Sequence, residues 1–362
     1  MPLSPLDRES EPYSKYGNIA ADGIQRLLGA PNLSAFQILI RETVQNSWDA
    51  GKDISGPVGY RLRFRELSPT EHEALKEIVF DDLPRYSENP ERPIKKALNK
   101  KKLNVIEICD FGTSGLAGPT HPDEVPKGKE SPDFVDFLRN IGSPRDTVFG
   151  GGTYGYGKSC LYAISQCQTI VVDSATTNAG KYTRRFMACR IASRYDIGQG
   201  KEKGRYTGRH WWGRRTADAY LEPVTGKEAD RLSKKVGMFP RNSDSLGTTI
   251  MIVAPELDSD SLEAAAQNAI RILLWYCWPK IVSHGDGKSP PMEFAVEVNG
   301  QEILTKDKVS LRINVSATWQ VLDAIRVRDA IKDHEAFLYR ELQLALRSVV
   351  STQTLDQLLA DK

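Results

Sequence analysis

Three stretches of this sequence carry residues whose types and spacing can do chemistry. Glu42, Asn46 and Asp49 stand at i, i+4 and i+7. On an α-helix these positions fall within about 60° of arc, at ~100° per residue. A carboxylate beside an amide oxygen suits activation of water next to a hard cation; the plainer reading is a solvated helix face. Next, Asp110 ends the apolar run Val105–Cys109 and leads into Phe111-Gly112-Thr113-Ser114-Gly115. An acid at a strand end followed by glycines lets the backbone approach a ligand closely. Its carboxylate can accept from an exocyclic amine such as that of adenine; the plainer reading is a strand-ending turn. The third stretch is Gly150-Gly151-Gly152-Thr153-Tyr154-Gly155-Tyr156-Gly157-Lys158-Ser159. Glycines ahead of a helix N-terminus expose backbone N–H groups where the helix dipole favours an anion, so this stretch predicts a phosphate site.

The elements that must hold these residues are readable from periodicity. Phe36, Leu39, Ile40, Thr43 and Ser47 form one stripe at helical spacing, and Ser34 is a suitable cap, so 34–50 is predicted as a helix. Strands are predicted over 60–67, 105–109, 169–174, 184–193 and 248–254. Helices are predicted over 71–79, 158–166, 227–236 and 262–276, with some helical character over 134–141. Phe294–Val298 and Gln301–Leu304 flank Asn299-Gly300, a hairpin signal. From Val321 onward the pattern is helical. The expected organisation is an N-terminal arm over 1–33, an α+β domain over 34–255 and a smaller α/β domain over 256–362. Residues 116–150 read as a long functional loop and 195–245 as an insertion.

Composition narrows the classes. The chain has 362 residues, 40% of them apolar and 27% charged, an ordinary globular balance. No apolar run approaches the ~18 residues of a membrane span, and the N-terminus lacks the apolar core of a secretory signal. Its 49 basic and 47 acidic residues leave a net charge of +2, which argues neither for nor against nucleic acid. Five scattered cysteines and five unclustered histidines support neither zinc nor a disulfide framework, so a reduced, cytoplasmic chain is expected.

Two nucleotide-binding readings compete for the glycine-rich stretch. Gly152 to Ser159 fits the P-loop pattern G-x-x-x-x-G-K-[ST]. That pattern normally follows a buried strand, and Ser143 to Phe149 is a poor one. The other reading takes all three stretches together. Glu42-x-x-x-Asn46-x-x-Asp49-Ala50 resembles the N box of the GHKL ATPase superfamily, which includes gyrase B, heat-shock-90 chaperones, sensor histidine kinases, MutL and microrchidia proteins. Asp110-x-Gly112 resembles its first glycine box and Gly152-x-x-Gly155-x-Gly157 its second. Gly247-Thr248-Thr249-Ile250 resembles the Gly-Thr strand that closes the adenine pocket. The order matches over about 30–255. The second glycine of the first box stands one place late, at Gly115, and the 195–245 insertion is foreign to the superfamily.

The resemblance implies a Bergerat-type α/β sandwich that binds ATP and Mg²⁺, followed by a transducer-like domain with a helical tail. It implies roles position by position. Glu42 is the general base, Asn46 the Mg²⁺ ligand, and Asp110 the acceptor for the adenine amine, with Thr248 supporting it. Asp49 shapes the pocket floor, and Gly112 lets the base approach. Gly152, Gly155 and Gly157 line the phosphates, and the lid spans about 116–150. Apart from the resemblance, since many relatives lack a lysine there, Lys158 is positioned to add a point charge at the phosphates. Sensor kinases usually lack the base; the Glu here favours hydrolysis over phosphotransfer. Lys280, Lys288, Lys306 and Lys308 are candidates for a transducer lysine. ATP-driven homodimerisation and a protein effector are expected partners, with DNA handling or antiphage defence as settings, and no membrane. The alternative to turnover is a nucleotide-gated binding module. Arg205 to Arg215, which interleaves cations with Tyr206, Trp211 and Trp212, either grips nucleic acid or is a loop with its tryptophans in the core. Trp275, Tyr276 and Trp278 read as core.

The two nucleotide readings separate experimentally. Under the GHKL reading, Asp110→Asn abolishes ATP binding measured by calorimetry, whereas Lys158→Ala only weakens it. A P-loop protein gives the reverse order.

Overall fold

The computed structural model describes residues 3–16, 33–51, 56–84, 92–126, 128, 130–140, 156–178, 180–257, 259–281 and 290–304. In chain order its elements are β1 (Asp7–Pro12), α1 (Ala35–Ala50), β2 (Val58–Glu66), α2 (Pro69–Ala74, continued by a π turn over Leu75–Val79), α3 (Arg92–Leu98), β3 (Asn104–Phe111), α4 (Asp133–Leu138), α5 (Tyr156–Ala163), β4 (Thr169–Asn178), β5 (Lys181–Ile191), β6 (Tyr195–Ile197), β7 (Gly204–Arg215), β8 (Leu221–Glu222), β9 (Val224–Thr225), α6 (Gly226–Lys235), β10 (Gly247–Val253), α7 (Leu262–Ile281), β11 (Met292–Val298) and β12 (Gln301–Leu304). This is the expected α+β class. The helical tail, together with Lys288, Lys306, Lys308 and most of the 1–33 arm, lies outside the described residues.

One mixed sheet runs β1-β7-β5-β4-β10-β3-β2-β11-β12. Its pairings are antiparallel except β11 with β2. Strand alternation sends Tyr60, Leu62, Phe64, Ile106, Ile108, Ile170, Val172, Ile250 and Ile252 to one face, where they pack with α1, α5 and α7. The intervening residues Val105, Val171, Phe186, Ala188, Trp212, Met251 and Val253 face the other way, onto α2, α3 and α6. Helices thus cover both faces, which makes three layers.

Local signals explain the elements that matter most. At the start of α1, the Ser34 hydroxyl accepts from the Gln37 N–H at 3.2 Å, and the Gln37 side chain accepts from the Ser34 N–H at 3.0 Å. The helix stops at Gly51, where a Cβ would lie 2.1 Å from Val58 Cγ2. Asn299 and Gly300 both hold positive φ, 48° and 84°, as a tight two-residue hairpin requires.

The sheet also runs through the stretches read as insertion, arm and second domain. Within 195–245, β7 sits inside the sheet between β1 and β5. Its tryptophans are buried. Trp212 donates its indole N–H to the Asp82 carbonyl and Trp211 to that of Leu138. Arg205, Arg209, Arg214 and Arg215 pair with Asp196, Glu11, Glu228 and Glu9. The two tryptophans are therefore core residues and no platform for stacking bases, because sheet pairing turns them inward. Within the arm, residues 7–12 are a strand that pairs with the chain's own β7. Past residue 255, β11 joins β2 in the same sheet.

Charge holds that junction on the α2 face. Glu297 of β11 accepts from Arg61 and, at 3.0 Å, from Arg63 of β2. Arg63 also donates to Glu107 of β3 at 2.7 Å, and Arg65 donates to the same carboxylate at 2.9 Å. Glu107 is fully buried and takes a third bond, from the Phe239 N–H. Glu107→Ala removes a fully buried carboxylate from two half-buried guanidiniums, which keep Glu297 and Glu71 as partners, so it is expected to cost ~1–3 kcal/mol; chemical denaturation measures the loss.

Candidate functional site

The row of side chains that crosses the sheet at Asp110 organises the site. Strand register places Arg185 of β5 opposite Ser174 of β4, and Ser174 opposite Thr248 of β10. It places Asp110 of β3 opposite Tyr60 of β2. The β3–β10 ladder runs from Val105–Val253 to Cys109–Thr249. At the next step the side chain of Asp110 takes over. Its Oδ1 accepts from the Thr248 backbone N–H at 2.7 Å and from the Thr113 hydroxyl at 2.7 Å. The Thr248 hydroxyl lies 3.0 Å from Ser174 Oγ, which also accepts from the Leu116 N–H at 2.8 Å. The carboxylate plane is thereby fixed by two donors, at a half-buried position at the mouth of the sheet.

Glycines permit the close passage of backbone here. Gly247 has φ 140°, and a Cβ on it would come within 2.3 Å of the Asp110 carbonyl oxygen. Gly112 has φ 63°. Gly115, the glycine that stands one place late, has φ 64° and lies so close to β4 that a Cβ would meet the Ala175 carbonyl at 2.4 Å. The displaced glycine thus serves as the turn's contact with β4.

Helix α1 supplies the other half. Thr43 and Tyr60 hydroxyls meet at 2.7 Å, which pins the helix over β2. The Ser114 N–H donates to the Ala50 carbonyl, and a Cβ on Gly51 would lie 3.3 Å from the Gly112 carbonyl. The Asp110–Gly115 turn is therefore docked on the C-terminal end of α1, beside Asp49. Glu42, Asn46 and Asp49 are all half-buried. Gln45 donates to Asp49 Oδ2 at 3.0 Å. Burial raises the Glu42 carboxyl above its ordinary 4.5, opposed by neighbouring Arg41. The Glu42 charge also reaches α5, where it adds to the burial that pushes the Cys160 thiol up to about 12.

The chain spans 56–59% of the length of three solved structures that it matches. Among these are the ATPase and transducer domains of DNA topoisomerase II from Balamuthia mandrillaris, at 11% identity over 83% of this chain and 56% of that one, with TM-score 0.34. The ATPase region of Saccharomyces cerevisiae topoisomerase II matches at 13% identity over 85% and 58%, with TM-score 0.34. A form of that yeast region bound to ICRF-187 (dexrazoxane) matches at 12% over 85% and 59%, with TM-score 0.30. The sequence model of the SPFH domain / Band 7 family matches residues 290–362. The search of curated proteins returned no match.

Among the residues singled out by sequence, Asp110, Gly112 and Thr248 come together around one carboxylate, and Asp49 lies at the helix end on which their turn docks. Glu42 and Asn46 lie further up α1. Gly157 and Lys158 open α5, and the Lys158 ammonium donates to the Asp136 carbonyl of α4. Gly152 and Gly155 lie outside the described residues. Lys280 packs its ammonium 4.3 Å from the centre of the Trp48 ring. Trp275, Tyr276 and Trp278, expected as core, are half-buried on α7. Sequence reasoning missed Thr113, Ser174 and Arg185. Only strand register or turn geometry reveals them; the small hydroxyl between Gly112 and Gly115 was the one visible sign.

Gly247→Ala meets both a strained φ and the Asp110 carbonyl, so ~1–3 kcal/mol of destabilisation is expected, and under the ATP-binding reading the loss of nucleotide binding. Gly300→Ala, whose added Cβ meets open space, carries the strain alone and leaves binding intact. Calorimetry of both variants with ATP checks this.

Proposed function

We propose that this chain binds ATP with Mg²⁺ and hydrolyses it as a GHKL-type ATPase, with a Bergerat-type core over 34–255. The observation that carries the reading is the Asp110 carboxylate, oriented by the Thr248 N–H and the Thr113 hydroxyl at the start of the turn that docks on the C-terminal end of α1. An acceptor-only group held in one plane suits an exocyclic amine, and adenine presents one.

The residues fit a magnesium site of modest protein contribution. Among the described residues no group of three or more His, Cys, Asp or Glu is arranged to hold a metal. Mg²⁺ bound with nucleotide needs only one or two protein ligands besides phosphate oxygens and water. The Asn46 amide, one turn from Glu42 on α1, would hold it, and the ion would neutralise charge on the phosphates.

Glu42 orients the attacking water and takes its proton. Gly157 and the opening turn of α5 offer backbone N–H groups to the phosphates, and Lys158 adds a charge. Hydrolysis then rests on positioning and charge stabilisation without covalent chemistry. The output is an ATP-driven conformational or dimerisation switch that acts on a partner protein or nucleic acid. The lid over 116–150 and the transducer-like role of 256–362 belong to this proposal.

Glu42 sets the test. Glu42→Ala is expected to bind ATP with little change and to lose ~100-fold or more in turnover. A base works only when deprotonated. Because burial raises the Glu42 carboxyl above 4.5, wild-type turnover falls with decreasing pH along a limb centred above 4.5. That limb is absent from the residual activity of Glu42→Ala. Unchanged turnover in Glu42→Ala favours the nucleotide-gated binding module instead.

A further inference from the structure

Arg241 stands behind the site, on the sheet face opposite α1, and the proposed activity does not yet use it. It is 5% exposed. Its three nitrogens engage three different segments. Nε donates to Thr249 Oγ1 of β10 at 3.0 Å, Nη1 to the Ser245 carbonyl at 3.2 Å, and Nη2 to the Asp110 carbonyl of β3 at 2.7 Å. The guanidinium lies 4.7 Å from the centre of the Phe111 ring. Its own carbonyl accepts from Arg184 Nη1 at 2.8 Å, and Arg184 is held by both oxygens of buried Asp173. Arg241 is thus seated on a rigid support and bridges the strand ends between which the Asp110–Thr248 contact forms.

The ladder supplies the reason such a bridge is needed. In an antiparallel pair every second residue pair exchanges both N–H···O=C bonds, and the Ala254 N–H bond to the Asn104 carbonyl puts Thr248 and Asp110 in that phase. At the step after Cys109–Thr249, the Thr248 N–H bonds to the Asp110 carboxylate instead of its carbonyl. The main-chain carbonyl so displaced needs another donor, because an acceptor partly withdrawn from water and left unpaired costs free energy. Arg241 Nη2 is that donor. Without it, the Thr248 N–H can return to the carbonyl and extend the ordinary ladder by one rung. The carboxylate would then lose one of the two donors that fix its plane.

We propose that Arg241 is a positioning residue: by occupying the Asp110 carbonyl it keeps the Thr248 N–H on the Asp110 carboxylate, and so holds the base acceptor in orientation. The kinetic part rests on the ATP reading above; the structural part does not.

The test uses Arg241→Met, with Arg241→Lys as the milder variant. A crystal structure of each is compared with wild type, and KM, kcat and the preference for ATP over GTP are measured in the full chain. In wild type the Thr248 nitrogen lies against the Asp110 carboxylate; in Arg241→Met it is expected against the Asp110 carbonyl. The KM for ATP is expected to rise about tenfold or more, with kcat at saturation within about twofold and the base preference reduced. Arg241→Lys keeps a single donor and is expected to recover part of the KM. If Arg241→Met, or Arg241→Lys should the former not fold, keeps the carboxylate contact and the base preference, the inference is overturned. A parallel fall in kcat and stability with unchanged base preference overturns it too, as that is what scaffold damage produces. If wild type binds no ATP, the kinetic part falls with the ATP reading. The hydrogen-bond comparison still decides the role of Arg241.

Discussion

A hydrogen bond from one backbone amide to one carboxylate, Thr248 to Asp110, is the point at which the sheet stops being a sheet and becomes a site. β10 lies between β3 and β4, so its first residues must satisfy partners on both sides. On one side Thr248 meets Ser174, and on the other Asp110. The turn after β3 then packs on the end of α1 through Gly51, Gly112 and Ser114. Each of these contacts needs the chain to come closer than most side chains allow. The glycines at 112, 115 and 247 answer that requirement directly.

The two faces of the sheet use different physics. Under α1, α5 and α7 the packing is apolar, with hydroxyls at Thr43, Tyr60 and Ser174 as local fixings. On the opposite face, apolar packing under α2, α3 and α6 gives way toward the Asp110 end to alternating buried arginines and carboxylates. Paired groups of this kind add little net stability against apolar substitutes, yet losing one partner is expensive. They hold β2, β3 and β11 in register, and through Arg184 and Arg241 the same face reaches the carbonyl of Asp110.

Much of the fold was legible because it rests on patterns the sequence displays locally. The stripe and cap of α1, the apolar runs of β3, β4 and β10, and the Asn-Gly turn between β11 and β12 each specify their element without help. β1 was not legible: Asp-Arg-Glu-Ser-Glu-Pro has no apolar alternation, and its partners lie near residue 210. β7 left two readings open for the converse reason. Its cations and tryptophans look like a surface until β1 and β5 flank it and turn them to carboxylates and core. At the site, Asp110, Gly112 and Thr248 carried visible signals. Ser174, Arg185 and Arg241 did not, because only register and loop closure bring Ser174 to Thr248, Arg185 to the Leu116 and Gly118 carbonyls, and Arg241 to Asp110.

The placement of β1 has a consequence for how the molecule is made. Ser10 and His210 are neighbours across an edge pairing but lie 200 positions apart in the chain. Contacts of such separation are the slow ones in folding, since a long loop must close before they reward it. At ~5–20 residues per second, the first strand emerges at least ~10 s before the strand it must join. During that interval it needs to stay dispersed and uncommitted. A strand made of Asp, Arg, Glu, Ser, Glu and Pro does so, because it is too polar to collapse and too charged to pair with itself. The composition that hid β1 from a hydrophobic reading is what lets it wait for its partner.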